Sequence, residues 1–196
     1  MKRKTALLFI TVGFVFMAFA LGLTVYNLWD SNRAGEVSDK VLSSLNKKLG
    51  EVDTTFPTDN PDRQMPSFEI DGYRYIGKLS IPALDIEVPV MDTWDYERLQ
   101  ISPCLYSGSL YKDNMVIAAH NYSTHFGNIK SLKPDSKVIF TDAENNTYTY
   151  KVIGIETLSP TQVEELKQPT EKNPWSLTLF TCTYDGSQRY TVRCTK

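Results

Sequence analysis

Cys182 and Arg189 are the residues whose chemistry first stands out in this sequence. They lie on either side of a predicted hairpin turn, Asp185-Gly186, which joins an apolar, β-branched run at 176–181 to an alternating run at 189–195. Because side chains alternate between the faces of a strand, both residues point away from the core if the aliphatic residues of these runs point into it. A neighbouring guanidinium favours the nucleophilic thiolate and can stabilise an oxyanion. Alone, however, a cysteine at a strand end can equally be an unreactive residue that packs in the core like a small apolar side chain.

His120 is the candidate acid or base. The apolar run at 115–119 predicts a buried strand that ends at this histidine, and rigid scaffolds present catalytic groups in this way. A hydrogen-bonded strand-end histidine is the alternative. The other histidine, His125, falls in a predicted loop, so we expect it to be structural or at a loop tip rather than catalytic.

The chain has three cysteines, and an odd number in an exported domain leaves at least one thiol unpaired. A disulfide between Cys104 and Cys194 is one possibility, and Cys194 as a simple buried residue is another. No histidine and cysteine have the local spacing of a zinc site, so we predict neither a metal nor another cofactor. The net charge is −2 and no basic block contains interleaved aromatics, which argues against a nucleic-acid partner.

The first segment, 1–29, combines a basic tip with an uncharged apolar run at 6–28 that is long enough to cross a bilayer as a helix. The positive-inside rule places the N-terminus in the cytoplasm and the rest of the chain outside the cell membrane. A cleaved signal peptide is the alternative, because 18–20 resembles a cleavage site. The apolar run continues past that site, which favours an uncleaved, single-pass signal-anchor.

Residues 30–67 read as an extracellular linker, with a possible short amphipathic helix at 37–49 and a polar, proline-containing spacer after it. From residue 68 to 196 the pattern changes to short strands separated by turn signals, which predicts an all-β barrel or sandwich with short helices. The strands are predicted at 73–81, 86–91, 115–119, 137–141, 147–158, 176–181 and 189–195, and the short helices at 96–100, 127–132 and 161–167.

The motif Thr178-Leu179-Phe180-Thr181-Cys182, with Arg189 on the next strand, His120 upstream and a membrane anchor before them, resembles the sortases. These are cysteine transpeptidases of Gram-positive bacterial surfaces. The resemblance implies an eight-stranded β-barrel behind the N-terminal transmembrane helix. It also implies that Cys182 is the nucleophile, His120 the general acid/base and Arg189 the group that orients the substrate and stabilises the oxyanion. Arg193 shares the strand face of Arg189 and competes for that role.

By the same resemblance, the substrate is a C-terminal sorting motif of the Leu-Pro-x-Thr-Gly kind on a secreted protein. The thioacyl-enzyme would pass its acyl group to an amine of a cell-wall precursor or a pilin. Candidate substrate-binding residues are Thr181, Asn121 and Tyr122, and the region 157–175 is expected to contribute to specificity. The sequence around His120 is similar to class B or related clostridial enzymes. A membrane-tethered cysteine protease with water as acceptor, and a non-catalytic extracellular β-domain, remain as alternatives.

Overall fold

The computed structural model describes residues 2–52, 60–167, 169–170 and 174–196. They form two compact units, Met1–Arg33 and Ala34–Lys196. The described helices and strands are α1 (Lys2–Gly50), β1 (Phe68–Ile70), β2 (Tyr73–Ile81), β3 (Ile86–Met91), α2 (Tyr96–Leu99), β4 (Cys104–Ser107), β5 (Met115–Ala118), β6 (Lys137–Asp142), β7 (Thr147–Leu158), β8 (Leu177–Cys182) and β9 (Arg189–Thr195). Short 3₁₀ helices lie at Pro82–Leu84, Leu110–Lys112, Ile129–Ser131 and Pro160–Leu166.

The first unit is the N-terminal part of α1, and its apolar side chains are exposed along the helix, as they would be in lipid. This helix is long and apolar enough to cross a membrane. The hydroxyl groups of Thr11 and Thr24 donate to the carbonyl oxygens of Leu7 and Ala20, at 3.0 and 2.9 Å. These polar groups are therefore satisfied within the helix, which an apolar surrounding requires.

The second unit contains a closed β-barrel of eight strands in the order β2-β3-β4-β5-β8-β9-β7-β6, in which β6 pairs back onto β2. The expected all-β fold with an eight-stranded barrel is confirmed. Gly77 lies at the closure, paired with Asp142, and has a φ of +152°. A Cβ at this position would overlap the carbonyl oxygen of Thr141, so only glycine lets the two strands meet here. Strand β1 lies outside the closed ring and pairs with the beginning of β2.

The barrel core is formed by the inward-facing aliphatic and aromatic side chains of the strands and of the short helices that cap them. Leu177, Leu179, Val192 and Cys194 belong to it, as strand alternation predicts for the last hairpin. Phe180 packs into a different cluster, on the outer side of the same strand. The predicted faces of β8 and β9 are therefore those of the structure.

Two strands, β1 and β4, were not predicted. Strand β4 follows Pro103 and is short; it pairs with β3 through a single parallel register position, Met91 with Cys104. Its longer pairing is with β5, and a shift interrupts that register. A strand this short and irregular shows little alternation of apolar and polar residues, and that alternation is the signal by which strands are predicted from sequence.

Residues 34–50, which we expected to lie in a linker, are the last turns of α1 and belong to the same compact unit as the barrel. The apolar face predicted for 37–49 is present. It contributes Val41, Leu45 and Leu49 to a buried cluster with Ile70, Tyr75, Met91 and Cys104. Residues 53–59 of the expected spacer lie outside the described part. Beyond them, Arg63 forms an ion pair with Glu144 and stacks over Tyr111, which ties this segment to the barrel.

Candidate active site

Strands β5 and β8 are parallel neighbours, and both end at the same edge of the barrel. Ala118 is paired with Phe180, and the amide of Ala119 continues the ladder by donating to the carbonyl oxygen of Phe180 at 3.1 Å. The next residue on one strand is His120, and Cys182 is the last residue of the other. Because neighbouring strands are about 4.8 Å apart, this register brings the histidine and the cysteine side by side. They are far apart in sequence, and the parallel pairing unites them.

Strand β9 places Arg189 directly opposite Cys182 in the antiparallel hairpin. Side chains at such paired positions point to the same face, with Cβ atoms roughly 5 Å apart. The Nη1 atom of Arg189 donates to the carbonyl oxygens of Gly186 and Gln188, each at 3.0 Å. The guanidinium is thus held at the rim of the hairpin loop, on a residue whose register partner is the exposed Cys182.

The hairpin loop is organised by Asp185. Its carboxylate accepts hydrogen bonds from the hydroxyl of Thr183 at 2.5 Å, the hydroxyl of Ser187 at 2.7 Å and the amide of Ser187 at 3.1 Å. The first two bonds, from Thr183 and Ser187, lower the pKa of Asp185 to about 2, so the carboxylate is charged at neutral pH. Gly186 follows with a φ of +71°, which a side chain would make unfavourable. The loop therefore fixes the spacing between Cys182 and Arg189.

Arg193, the competing arginine, has different surroundings although it shares a face of β9 with Arg189. It is 2% exposed, and it donates to Glu156 Oε1 at 2.7 Å and to Thr178 Oγ1 at 2.9 Å. Its guanidinium also lies over the ring of Trp175, 5.1 Å from the centroid. These contacts hold the buried side chain of Arg193 on the outer face of the sheet, where it pairs with Thr178 and lies away from the strand end.

The three cysteines are all free thiols, so the disulfide considered for Cys104 and Cys194 is not formed. Both of these residues are fully buried, and burial raises the pKa of each thiol to about 12. A thiol of such high pKa stays protonated and unreactive. Cys182 is the exposed one.

His120 is half-buried, and its ring stacks on Tyr122 with centroids 3.9 Å apart and planes inclined by 22°. The residues after it fold back tightly: Phe126 N donates to His120 O at 3.3 Å, and Gly127 N donates to Tyr122 O at 2.9 Å. A Cβ on Gly127 would lie 2.5 Å from the carbonyl oxygen of Asn121, so glycine is required for this close approach. The compact loop holds His120 at the end of β5.

Two of the three candidate substrate-binding residues lie in this loop. Asn121 is half-buried, and Tyr122 is 9% exposed beneath the ring of His120. The side chain of Thr181 faces the interior, is 1% exposed, and donates to the carbonyl oxygen of Ala119 at 2.9 Å. A ligand would therefore meet Thr181 through its backbone, while its hydroxyl locks β8 to the end of β5.

An apolar surface adjoins the strand ends. Its buried members come from the outer faces of β5 and β8 and from the region 157–175: Val116, Ala118, Leu158, Leu166, Trp175 and Phe180. Tyr106 of β4 extends it, with its ring 5.0 Å from those of Phe180 and Trp94. Residues 168 and 171–173 of the expected specificity region lie outside the described part. The sequence did not predict a role for Tyr106, because it did not predict β4.

Within the described ranges, no group of three or more histidine, cysteine, aspartate or glutamate residues is arranged to hold a metal ion. The side chains at the ends of β5 and β8 and the start of β9 are instead an imidazole, a thiol and a guanidinium. This set can attack a carbonyl, transfer a proton and stabilise an oxyanion.

Comparison with known proteins supports the same fold. A family model described as the sortase domain matches residues 79–196. Sortase A of Bacillus anthracis is 30% identical over 142 residues, which cover 68% of this chain and 66% of that protein, just under two thirds of its length.

Solved structures with the same fold include a Sortase D5 transpeptidase of Clostridium perfringens, with a TM-score of 0.61 and 18% identity over 82% of this chain and 98% of that chain. Sortase C from Clostridium perfringens SM101 has a TM-score of 0.53 and 21% identity, covering 81% of this chain and 88% of that chain. At these identities the two structures establish the likeness of fold.

Proposed function

Because the chain belongs to the sortase family, we propose that it is a membrane-anchored cysteine transpeptidase. It cleaves a C-terminal sorting motif of the Leu-Pro-x-Thr-Gly kind on secreted proteins and transfers the new carboxyl end to an amine of a cell-wall precursor or a pilin. One observation supports the proposal: β5, which leads into His120, is the parallel neighbour of β8, which ends at Cys182, and Arg189 of β9 is the register partner of Cys182.

The proposed reaction has two acyl-transfer steps. The sulfur of Cys182 attacks the scissile carbonyl carbon, and the carbon–nitrogen bond breaks as His120 gives a proton to the leaving amine. The incoming amine then attacks the thioester carbonyl carbon and loses a proton to His120, and the carbon–sulfur bond breaks to return the Cys182 thiolate. Arg189 stabilises the negative oxygen of each tetrahedral intermediate. Its guanidinium stays charged throughout, so it can act in both steps.

The apolar surface beside Cys182 supports a peptide substrate. The accessible rings of Tyr106 and Trp94 offer contacts to aliphatic or proline side chains, and the buried Phe180 supports the ring of Tyr106 from below. Sortase C of Clostridium perfringens has been solved with the C-terminal cell wall sorting motif, with a TM-score of 0.53 and 18% identity to this chain. We infer that the motif binds along this surface here, with specificity set by residues 157–175 and with Asn121 and Tyr122 beside the histidine.

The N-terminal apolar helix would place the proposed reaction at the outer surface of the membrane. Lys2, Arg3 and Lys4 precede the apolar helix, so the positive-inside rule keeps the N-terminus in the cytoplasm. The barrel then lies outside the membrane, where exported substrates and wall precursors meet. Uncleaved anchoring, rather than removal of a signal peptide, belongs to the proposal.

The test uses the full chain in detergent micelles with a sorting-motif peptide library. We expect a thioacyl adduct on Cys182 by mass spectrometry. Cys182→Ala should abolish both adduct and cleavage, whereas Cys104→Ala should keep most of the activity, because Cys104 is a buried thiol. Cleavage by Cys182→Ala would refute the assignment, and an inert wild-type chain across the whole library would favour a non-catalytic β-domain.

Hydrolysis is the second candidate, because the exposure of Cys182 also lets water reach a thioester. Adding a glycine oligomer or a stem peptide that contains meso-diaminopimelate separates the two. A ligated product establishes transfer. Hydrolysis alone with every amine tried would identify a membrane-tethered cysteine protease.

A further inference from the structure

A continuous chain of side chains connects helix α1 with His120. The hydroxyl of Ser38 lies 3.4 Å from Nε2 of His125. The ring of His125 meets that of Tyr122 edge-on, with centroids 5.5 Å apart and planes at 60°, and Tyr122 stacks on His120 at 3.9 Å. The first three members are nearly inaccessible to solvent: Ser38 is 3% exposed, His125 0% and Tyr122 9%.

The backbone makes this arrangement well defined. His125 N donates to Tyr122 O at 3.0 Å, so the loop turns between the two rings. On the other side, α1 approaches the loop closely at Gly35: a Cβ there would lie 2.9 Å from Cγ2 of Thr124. The small residues of the helix let it sit against the loop, which is how Ser38 comes to face His125.

We propose that His125 is a positioning residue for His120, that it acts through Tyr122, and that Ser38 of α1 holds its ring in place. The inference rests on the proposed function, since the orientation of His120 matters only if His120 transfers protons. His125 is wholly buried and cannot touch a substrate, so its effect must pass through its neighbours.

The arrangement suits a proton-transferring histidine. A stacked aromatic ring restricts the rotation of the imidazole and so fixes the directions of its two ring nitrogens. His125 itself stays neutral, because burial and, to a smaller extent, the charge of His120 lower its pKa to about 4. A neutral second ring supports the stack without placing another positive charge beside His120.

The chain contains two histidines, so a spectrum of the full chain in detergent micelles, labelled with ¹³C only in histidine, contains two sets of ring signals. The His125→Phe variant loses the signals of His125, so the set that remains belongs to His120. Ser38→Ala and Tyr122→Leu should shift the His120 signals, whereas Ser43→Ala, an exposed serine of the same helix, should not. His125→Ala should shift them more than His125→Phe, which keeps an aromatic edge against Tyr122.

Turnover of a sorting peptide supplies the second readout. Ser38→Ala and His125→Ala should lower kcat by about tenfold and leave KM within about twofold, since a misplaced proton donor slows chemistry rather than binding. If the wild type is active and the His120 signals are unchanged in Ser38→Ala and His125→Phe, the positioning role of His125 is refuted and the proposed function is not affected. Failure of the proposed function would appear differently, as absence of Cys182-dependent turnover in the wild type.

Discussion

Arg189 and Arg193 share a face of β9, and strand parity alone could not choose between them. Their contacts differ: Glu156 and Thr178 hold Arg193, whereas Arg189 bonds to loop carbonyl oxygens beside the exposed thiol. Strand parity is equally insufficient for the cysteines. It places the side chain of Cys194 inward, but it cannot predict the burial of Cys104, because Cys104 lies on a strand that was not predicted. Residue types and parity therefore predicted the candidate set, and tertiary contacts were needed to separate its members.

Replacing Arg189 should have a kinetic effect. We expect Arg189→Ala to lower turnover of a sorting peptide by about 10²- to 10³-fold, the scale of losing one oxyanion donor. Arg189→Lys should recover part of the loss, since it keeps the charge but not the planar fork. Arg193→Ala is the comparison: it leaves Thr178 and Glu156 without their partner and should lower stability by about 1–3 kcal/mol. An unchanged rate in Arg189→Ala would contradict the assigned role.

Acid should destabilise the barrel through His125. Its folded pKa of about 4 lies below the ordinary value of 6.5, so the unfolded chain takes up the proton first as pH falls. The contribution of neutral His125 to the free energy of unfolding is fully present above pH 6.5 and is lost progressively toward pH 4. The loss is on the order of 3 kcal/mol, at about 1.36 kcal/mol per pH unit. Thermal melting of wild type and His125→Phe between pH 7 and 4 measures it. Equal acid sensitivity in both would argue against a buried neutral imidazole.

The C-terminal turns of α1 are the element whose role sequence reading described least well. Alternation by three and four residues predicted the apolar face of 37–49, and the structure shows that face packed in a cluster with Tyr75 and Met91. The surface that receives it is built from β1, β2, β3 and β4. Of these strands, β1 and β4 are short and were not predicted, so a linker with a possible short helix was expected where a packed helix lies. The division of the chain at residues 29 and 67 stays a prediction.

Leu45 tests this packing, because it is fully buried at the centre of the helical face. Leu45→Ala should destabilise the second unit by about 2–5 kcal/mol, the usual range for emptying a leucine site. Ser43→Ala, exposed on the same helix, should change stability by less than about 0.5 kcal/mol. Near-ultraviolet circular dichroism on heating measures both. Equal melting temperatures for the two variants would mean that the helix does not support the barrel.

At the scale of the molecule, composition and the apolar N-terminus predicted the exported class, and the repeated short strands predicted an all-β barrel or sandwich, which the family resemblance narrowed to an eight-stranded barrel. The site was predicted from motif residues that lie far apart in sequence. What could not be predicted was the route by which they meet, because a parallel pairing such as that of β5 and β8 leaves no local signal.

The proposed topology predicts which thiol the outside of the cell can reach. A membrane-impermeant maleimide applied to intact protoplasts should label wild type and Cys104→Ala, and labelling should fall to background in Cys182→Ala. The reason is that Cys182 is exposed while Cys104 and Cys194 are buried. Labelling that appears only after the protoplasts are lysed would place the barrel in the cytoplasm instead.

Cys182 and Arg189, the proposed nucleophile and oxyanion group, both lie on the β8–β9 hairpin, which follows every other barrel strand in the chain and lies between β5 and β7. A chain that crosses the membrane from its N-terminal end delivers this hairpin after the histidine loop is already outside. Until it inserts, β5 lacks its parallel neighbour and the sulfur has no imidazole beside it. On the proposed mechanism, the site is complete only when this hairpin closes the barrel, so the thiol of an incompletely folded molecule is not yet activated.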